Sequence, residues 1–278
     1  MLVGLKEILK IAEERKCAIG SFNTPNMATL KAVIAAAEEK NEPVIIMHAQ
    51  LHEEMGICKL DEIGPVMLLF AEKAKVPVCV HLDHGEDLEY IKKGLELGFP
   101  SVMYDGGTLP NEINYANTAA VVEMAKKFGA SVEAEIGSMG ARESGGEGGD
   151  SIYTEPKDAE KFARVTGIDA LACAFGTAHG IYTVEPKLDF ERVGKIKELV
   201  TVPLVMHGGS GVSHEDYRRL IGLGIRKVNY YTYMAKAGVN AVKMMGETTY
   251  YHDIENEAIK AMKNDAMRAI EIFSEKSF

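Results

Sequence analysis

The stretch Val76-Pro77-Val78-Cys79-Val80-His81-Leu82-Asp83-His84-Gly85-Glu86 decides the fold. An apolar run, Val76–Val80, meets an abrupt polar cluster, His81–His84, and a helical pattern follows from Glu86 to Leu97, closed by Gly98. A strand buried on both faces reads as a continuous apolar run, and in a parallel barrel polar groups gather at its carboxyl end. Successive strand side chains point to opposite faces. Asp83 and His84 therefore serve one site only if the strand ends there. Two further histidines stand in the same kind of place: His179 after Ala170–Phe175, and His207 after Val202–Met206.

Working outward, strand-like and helix-like segments alternate. Strands are expected at Cys17–Ser21, Pro43–Met47, Val78–Leu82, Ser101–Tyr104, Ser131–Ile136, Ala170–Phe175, Leu204–His207 and Arg226–Tyr230. Helices are expected at Leu2–Arg15, Asn26–Lys40, Asp61–Lys75, Glu86–Leu97, Glu112–Phe128, Phe190–Val200 and Ser213–Leu223, with two more from Tyr233 onward. Eight strands separated by helices imply a parallel sheet, and at this length a closed (β/α)8 barrel, a TIM barrel. A doubly wound open sheet is the alternative.

The chain has 278 residues, 46% of them hydrophobic, which suits one α/β domain over 1–278. The net charge is −10 and no lysine- or arginine-rich block occurs, which speaks against a nucleic-acid surface. No apolar stretch is long enough to span a bilayer, and Met1–Arg15 reads as an amphipathic helix rather than a secretory signal. The cysteines (Cys17, Cys58, Cys79, Cys173) show no CxxC spacing and are expected as free thiols of a cytoplasmic protein. Gly137–Asp150 is glycine-rich, carries Arg142, Glu143, Glu147 and Asp150, and reads as an active-site lid or an insertion.

Three histidines at three strand ends supply three ligands and leave a fourth position open, the pattern of a catalytic zinc site. His48 and His52, four apart after the second strand, are a rival pair with no third ligand near in sequence. Asp83, Asp105 and Glu135 also stand at strand ends, and Glu133 shares the strand face of Glu135. Carboxylates there can be acids or bases, partners of ligands, or ligands. His207-Gly208-Gly209-Ser210-Gly211 follows the seventh strand, and Val228-Asn229-Tyr230-Tyr231-Thr232 ends the eighth. In such barrels a phosphate often lies between these two loops.

With Gly20-Ser21-Phe22-Asn23, His81–Gly85, Ser131–Gly137, Gly176–Gly180, His207–Gly211 and Lys227-Val228-Asn229, the chain resembles the class II, zinc-dependent ketose-bisphosphate aldolases over nearly its whole length. The resemblance implies that His84, His179 and His207 hold a catalytic Zn²⁺, and that Asp83 is the acid/base at the C4 hydroxyl of a phosphorylated ketose. It implies that Asp105 and Glu135 hold an alternative or second divalent ion in some members. Glu143 matches the loop glutamate that handles the C1 proton of dihydroxyacetone phosphate. Asn23, Gly180, Gly208, Gly209, Ser210, Asn229 and Thr232 match substrate positions, several of them around the triose phosphate and a monovalent cation, Na⁺ or K⁺. A homodimer or homotetramer is expected.

The chain also departs from that pattern. Asp105-Gly106-Gly107 replaces Asp-[Gly/Ala]-Ser, Tyr230 and Tyr231 fill the middle of the eighth-strand motif, and the tail closes Phe273–Phe278. The position expected to give a hydroxyl to a distal phosphate falls at Ala49, with His48, Gln50 and His52 around it. Fructose 1,6-bisphosphate is therefore not the expected best substrate, unless Lys263 or Arg268 of a neighbouring subunit supplies charge. A metal-dependent hydrolase would need no phosphate turn, and a non-catalytic relative should have lost a ligand or Asp83; this chain keeps all of these.

Overall fold

The structure is a computed structural model that describes residues 1–137, 153–182, 185–248 and 250–275. Eight strands, β1 (Ile19–Asn23), β2 (Val44–Ala49), β3 (Val78–Gly85), β4 (Ser101–Tyr104), β5 (Ser131–Ile136), β6 (Ala170–Cys173), β7 (Leu204–Met206) and β8 (Ile225–Tyr230), pair in parallel. They run in chain order and β8 pairs back to β1, so the sheet is a closed barrel and not an open one. Around it lie α1 (Leu5–Arg15), α2 (Met27–Lys40), α3 (Gln50–Glu54), α4 (Leu60–Lys73), α5 (Leu88–Glu96) and α6 (Asn111–Lys126). They are followed by α7 (Pro156–Thr166), α8 (Phe190–Leu199), α9 (His214–Gly222), α10 (Thr232–Met244) and α11 (Tyr251–Ser274).

The period of two along each strand separates two cores. Outward residues such as Ile46, Val80, Leu82, Val102, Leu171 and Val228 pack under the helices in one large cluster. Inward residues Ile19, Ile45, Met47, Cys79, Ala170, Ala172 and Val205 form a second cluster, closed from below by Leu5, Ile8, Leu9 and Ala12 of α1. Helix α1 thus seals the amino-terminal end of the barrel. The inward positions become polar as the strands rise. His81, Glu133 and Lys227 are fully buried, and Asp83, Glu135 and Asn229 lie two residues further along the same strands.

Several boundaries differ from the sequence expectation, and two helices were not anticipated. Helix α3 spans five residues, too few for a period to show. Helix α7 begins with Pro156 and stops at Gly167 in the left-handed conformation (φ 71°), a clear start and stop pair. It buries only Ala159, Phe162 and Thr166, so its apolar stripe is thin. Strand β3 does not stop at Leu82 but continues to Gly85.

Candidate active site

Strand β3 holds Asp83 and His84 on one cavity by means of a bulge. Leu82 pairs with Val102 and Gly85 with Tyr104, so three steps along β3 oppose two along β4. One extra residue locally breaks the alternation of faces. His84 takes it up in the left-handed conformation, φ 44°. Gly85 has to be glycine here, because a Cβ would lie 2.8 Å from the Met103 carbonyl oxygen and 2.7 Å from Cγ1 of Ile91. The sequence requirement that Asp83 and His84 serve one site is met by this bulge rather than by termination of the strand.

His84, His179 and His207 converge as the strand ends predict. Their rings lie 4.6–5.9 Å apart by centroid, and one nitrogen from each falls within 4.8 Å of the others. Two of the rings are oriented by carboxylates. His84 Nδ1 lies 2.6 Å from Oδ2 of Asp105, and His207 Nε2 lies 2.8 Å from Oε1 of Glu133. With those protons donated outward, His84 Nε2 and His207 Nδ1 face each other at 3.0 Å. Two lone pairs at that distance need a proton or a cation between them. Two ligand nitrogens on a tetrahedral zinc sit about 3.3 Å apart, close to this spacing. His179 Nε2 is buried with no hydrogen-bond partner, an orphan that a metal would satisfy. The donor set therefore fits a divalent metal. Among the described residues these three form the group able to hold an ion.

The charges agree. Burial would lower the His84 pKa, but Asp83 and Asp105 carry it up to about 10. The carboxylates that favour a proton there favour a metal cation equally. Burial, with His84 and His207 adding to it, pulls His179 down to about 3, the neutral form a ligand requires. Burial also lowers His207, against the pull of Glu133. Burial would raise the Asp83 carboxyl, yet His84, His207 and Lys227 overcome it and keep the group ionised.

Asp83 is gripped by two amides. Asn23 Nδ2 donates to its Oδ2 at 3.0 Å, and Asn229 Nδ2 donates to its Oδ1 at 3.1 Å. Lys227 Nζ donates to Asn229 Oδ1 at 2.8 Å, and since lysine has only donors this fixes which way the Asn229 amide faces. Lys227 is in turn paired with Oε2 of Glu133 at 2.9 Å. One continuous chain of contacts, His207–Glu133–Lys227–Asn229–Asp83, thus joins the metal group to the carboxylate.

Glu133 is already marked in the sequence as a carboxylate sharing the strand face of Glu135, whereas His81 and Lys227 were legible only as members of motifs, with no role attached. The same spacing could have singled them out: they stand two residues before Asp83 and Asn229, so each lies one layer lower on the same inward face. His81 itself bonds Ser101 Oγ at 2.6 Å, and burial takes it down to about 3.

Asn23, Gly180, Gly208, Gly209, Ser210, Asn229 and Thr232 line a cavity of about 270 Å³ together with Asp83, His84, His179, Asp105 and Glu135. The turn after β7 is held by hydrogen bonds on both sides. Tyr182 Oη donates to the Gly208 carbonyl at 2.9 Å, and Gly209 N donates to the Asn229 carbonyl at 3.0 Å. Gly208 sits at φ 61° with its α-carbon against Ala178, where a Cβ would meet the carbonyl oxygen at 2.5 Å. Tyr231 N donates to Ser210 Oγ at 3.1 Å, and Thr232 opens α10. The first-turn N–H groups of α10 and the turn after β7 therefore share one end of the cavity, where an anion is favoured.

The rival pair does not assemble a metal group. His48 and His52 lie 5.8 Å apart by ring centroid, and His48 is sealed, with burial and then His52 taking it down to about 4. Glu143 and residues 138–150 of the glycine-rich stretch lie outside the described residues.

Comparison with known proteins agrees with this geometry. Residues 3–277 match the family described as fructose-bisphosphate aldolase class-II. A fructose-bisphosphate aldolase of Geobacillus stearothermophilus is 42% identical over 243 residues, covering 87% of this chain and 85% of that one. The Escherichia coli K12 protein YdjI is 37% identical over 274 residues, 98% of each chain. The crystal structure of the YdjI aldolase superposes with a TM-score of 0.88 at 35% identity and full coverage of both chains. On the histidine group, the gripped aspartate and these matches, the chain belongs to the class II fructose-bisphosphate aldolase family and is a metal-dependent aldolase, a carbon–carbon lyase.

Proposed function

We propose that this chain is a zinc-dependent aldolase that reversibly cleaves a phosphorylated ketose to dihydroxyacetone phosphate and an aldehyde. The observation that carries the reading is the meeting of His84, His179 and His207 beside an ionised, doubly held Asp83. Cleaving C3–C4 of a ketose leaves a carbanion next to the C2 carbonyl. A zinc ion held by the three histidines supplies Lewis-acid polarisation of that carbonyl. Asp83 takes the C4 hydroxyl proton in cleavage and returns it in condensation, a role suited to an ionised carboxylate. Asn23 and Asn229 keep it aimed. Asp105 fixes the His84 ring and Glu133 the His207 ring.

Ser210, Thr232 and the start of α10 receive the triose phosphate, with Gly180, Gly208 and Gly209 letting backbone come close and Na⁺ or K⁺ accompanying it. Glu143 handles the proton at C1 when the 137–150 stretch closes over the site. Asp105 and Glu135 are the carboxylates available to a second divalent ion. The 1–278 unit works as a single cytoplasmic domain in a homodimer or homotetramer. No helix among the described residues is long and apolar enough to cross a membrane.

An amine mechanism has no support in the barrel. Lys227 is fully buried and committed to Glu133 and Asn229. Chelation should abolish aldol cleavage and Zn²⁺ should restore it, while borohydride with substrate should trap no adduct. Activity that survives complete metal removal, or a trapped lysine, would overturn the reading.

A further inference from the structure

The two ends of the cavity differ in charge. At the β7–β8 end lie Ser210 and the amino terminus of α10, a thirteen-residue helix. At the β2–β3 end lie Ala49, Gln50, His52, Glu54 and Glu86. Among the described residues no lysine or arginine lines the cavity. Ala49 lines this end without any polar side-chain atom. Gln50 has both polar atoms committed, Nε2 to Glu54 at 3.0 Å and Oε1 to the backbone N–H groups of Glu86 and Asp87 at 3.0 and 3.2 Å. Gln50 thereby holds three carboxylate-bearing residues, Glu54, Glu86 and Asp87, of which the two glutamates line this rim. Burial, then Asp105 and Glu54, push the Glu86 carboxyl up, as expected where negative groups feel one another. Both glutamates are exposed and so partly screened, but their sign opposes a second phosphate. Lys263, a candidate source of charge, is engaged with Glu39.

His52 is a further polar group at that end. It is 6% exposed, and its ring stands edge-on to Tyr231 with centroids 5.6 Å apart. The Ala49 N–H donates to His52 Nδ1 at 3.3 Å, so Nδ1 is the lone-pair nitrogen and Nε2 carries the hydrogen. Burial lowers the His52 pKa, so the ring stays neutral. It offers one uncharged N–H that no described residue takes up, a donor suited to a hydroxyl or carbonyl oxygen and poorly suited to a dianion.

We infer that the aldehyde half of the ketose carries no phosphate, and that His52 selects it by donating Nε2–H to an uncharged oxygen of that half. The substrate class is then a ketose 1-phosphate with a neutral hydroxylated far end. This rests on the aldolase reading above, and His52 is a specificity-determining residue within it.

The test runs the zinc-loaded protein in condensation, with dihydroxyacetone phosphate and either glyceraldehyde or glyceraldehyde 3-phosphate. Exchange of the C1 proton of dihydroxyacetone phosphate with deuterated solvent is followed alongside, because it reports the triose half alone. Glyceraldehyde should be preferred in kcat/KM by about tenfold or more, the size of one charge-assisted contact. Glu54→Gln with Glu86→Gln should narrow that preference by lowering KM for the phosphorylated aldehyde. His52→Leu should raise KM for glyceraldehyde by up to about tenfold with kcat little changed, and His52→Gln, which keeps an N–H, should restore most of it. Retained exchange with equal or opposite preference, with neither aldehyde accepted, or with an unmoved KM in His52→Leu would overturn this inference and leave the aldolase reading standing. Loss of exchange would overturn both.

Discussion

Lys227 Nζ lies 2.9 Å from Oε2 of Glu133 inside the barrel, and both side chains are fully buried. Removing one member of such a pair leaves an uncompensated charge and costs roughly 3–5 kcal/mol. Lys227→Met should destabilise the fold by about that amount in denaturant titrations, and Lys227→Met with Glu133→Gln should recover most of it. Glu133→Gln alone should weaken metal affinity by about 10–100-fold, because His207 loses the carboxylate that orients it. Competition with a calibrated chelator measures this without reference to turnover. Unchanged affinity would show that Glu133 serves the pair with Lys227 and not the metal group.

The histidine group makes a sharper demand. His84→Ala, His179→Ala and His207→Ala should each lose the bound metal while the far-ultraviolet circular dichroism of the barrel is kept. His48→Leu should retain full metal content, since His48 lies outside the group. Metal analysis after gel filtration decides between them. Full occupancy in all three alanine variants would refute the site.

Asp83→Ala should keep the metal and lose cleavage by roughly 10²–10⁴-fold in kcat. Asn229→Ala should cost less, because Asn23 still holds the other oxygen of Asp83. A variant lacking Asp83 yet cleaving within a few-fold of the parent would remove the acid/base role.

His48 makes stability depend on pH in a stated direction. Neither of its ring nitrogens has a hydrogen-bond partner, and burial takes its pKa from 6.5 to about 4. Between those values the unfolded chain binds the proton and the folded chain refuses it. The contribution is therefore complete above pH 6.5 and is lost as the pH falls toward 4, by about 3 kcal/mol in all. His48→Leu should flatten that limb of the unfolding free energy against pH. An unaltered slope would assign the acid limb to other groups.

The barrel itself was legible because short strand-like runs alternate with helical patterns, and the catalytic face was legible because polar residues gather toward the carboxyl ends of the strands. The histidine triad needed nothing more than that rule. The bulge in β3 was not legible in detail. Local sequence demands that Asp83 and His84 share a face, but how this happens depends on pairing with β4, a partner supplied by tertiary structure. Helix α7 escaped because only three of its positions face the core, and it follows a glycine-rich stretch that hides its start. The pairing of Glu133 with Lys227 escaped for a different reason. A buried ion pair between strands β5 and β8 leaves no trace in either strand alone.

The bulge also constrains how this chain can be altered. Asp83 and His84 are neighbours in sequence, and they serve one site because β3 carries one residue more than β4 between paired positions. Substitution scanning would read this segment as two sensitive positions beside an obligatory glycine. Deletion scanning would read it differently. Removing any one residue between Leu82 and Gly85 restores an ordinary ladder, and the barrel can close as before. Asp83 and His84 then no longer face one cavity together. The segment is governed by its length as strictly as by its composition, so a recombined chain that joins this barrel to a relative inside β3 keeps its chemistry only if the count of residues across the joint is preserved.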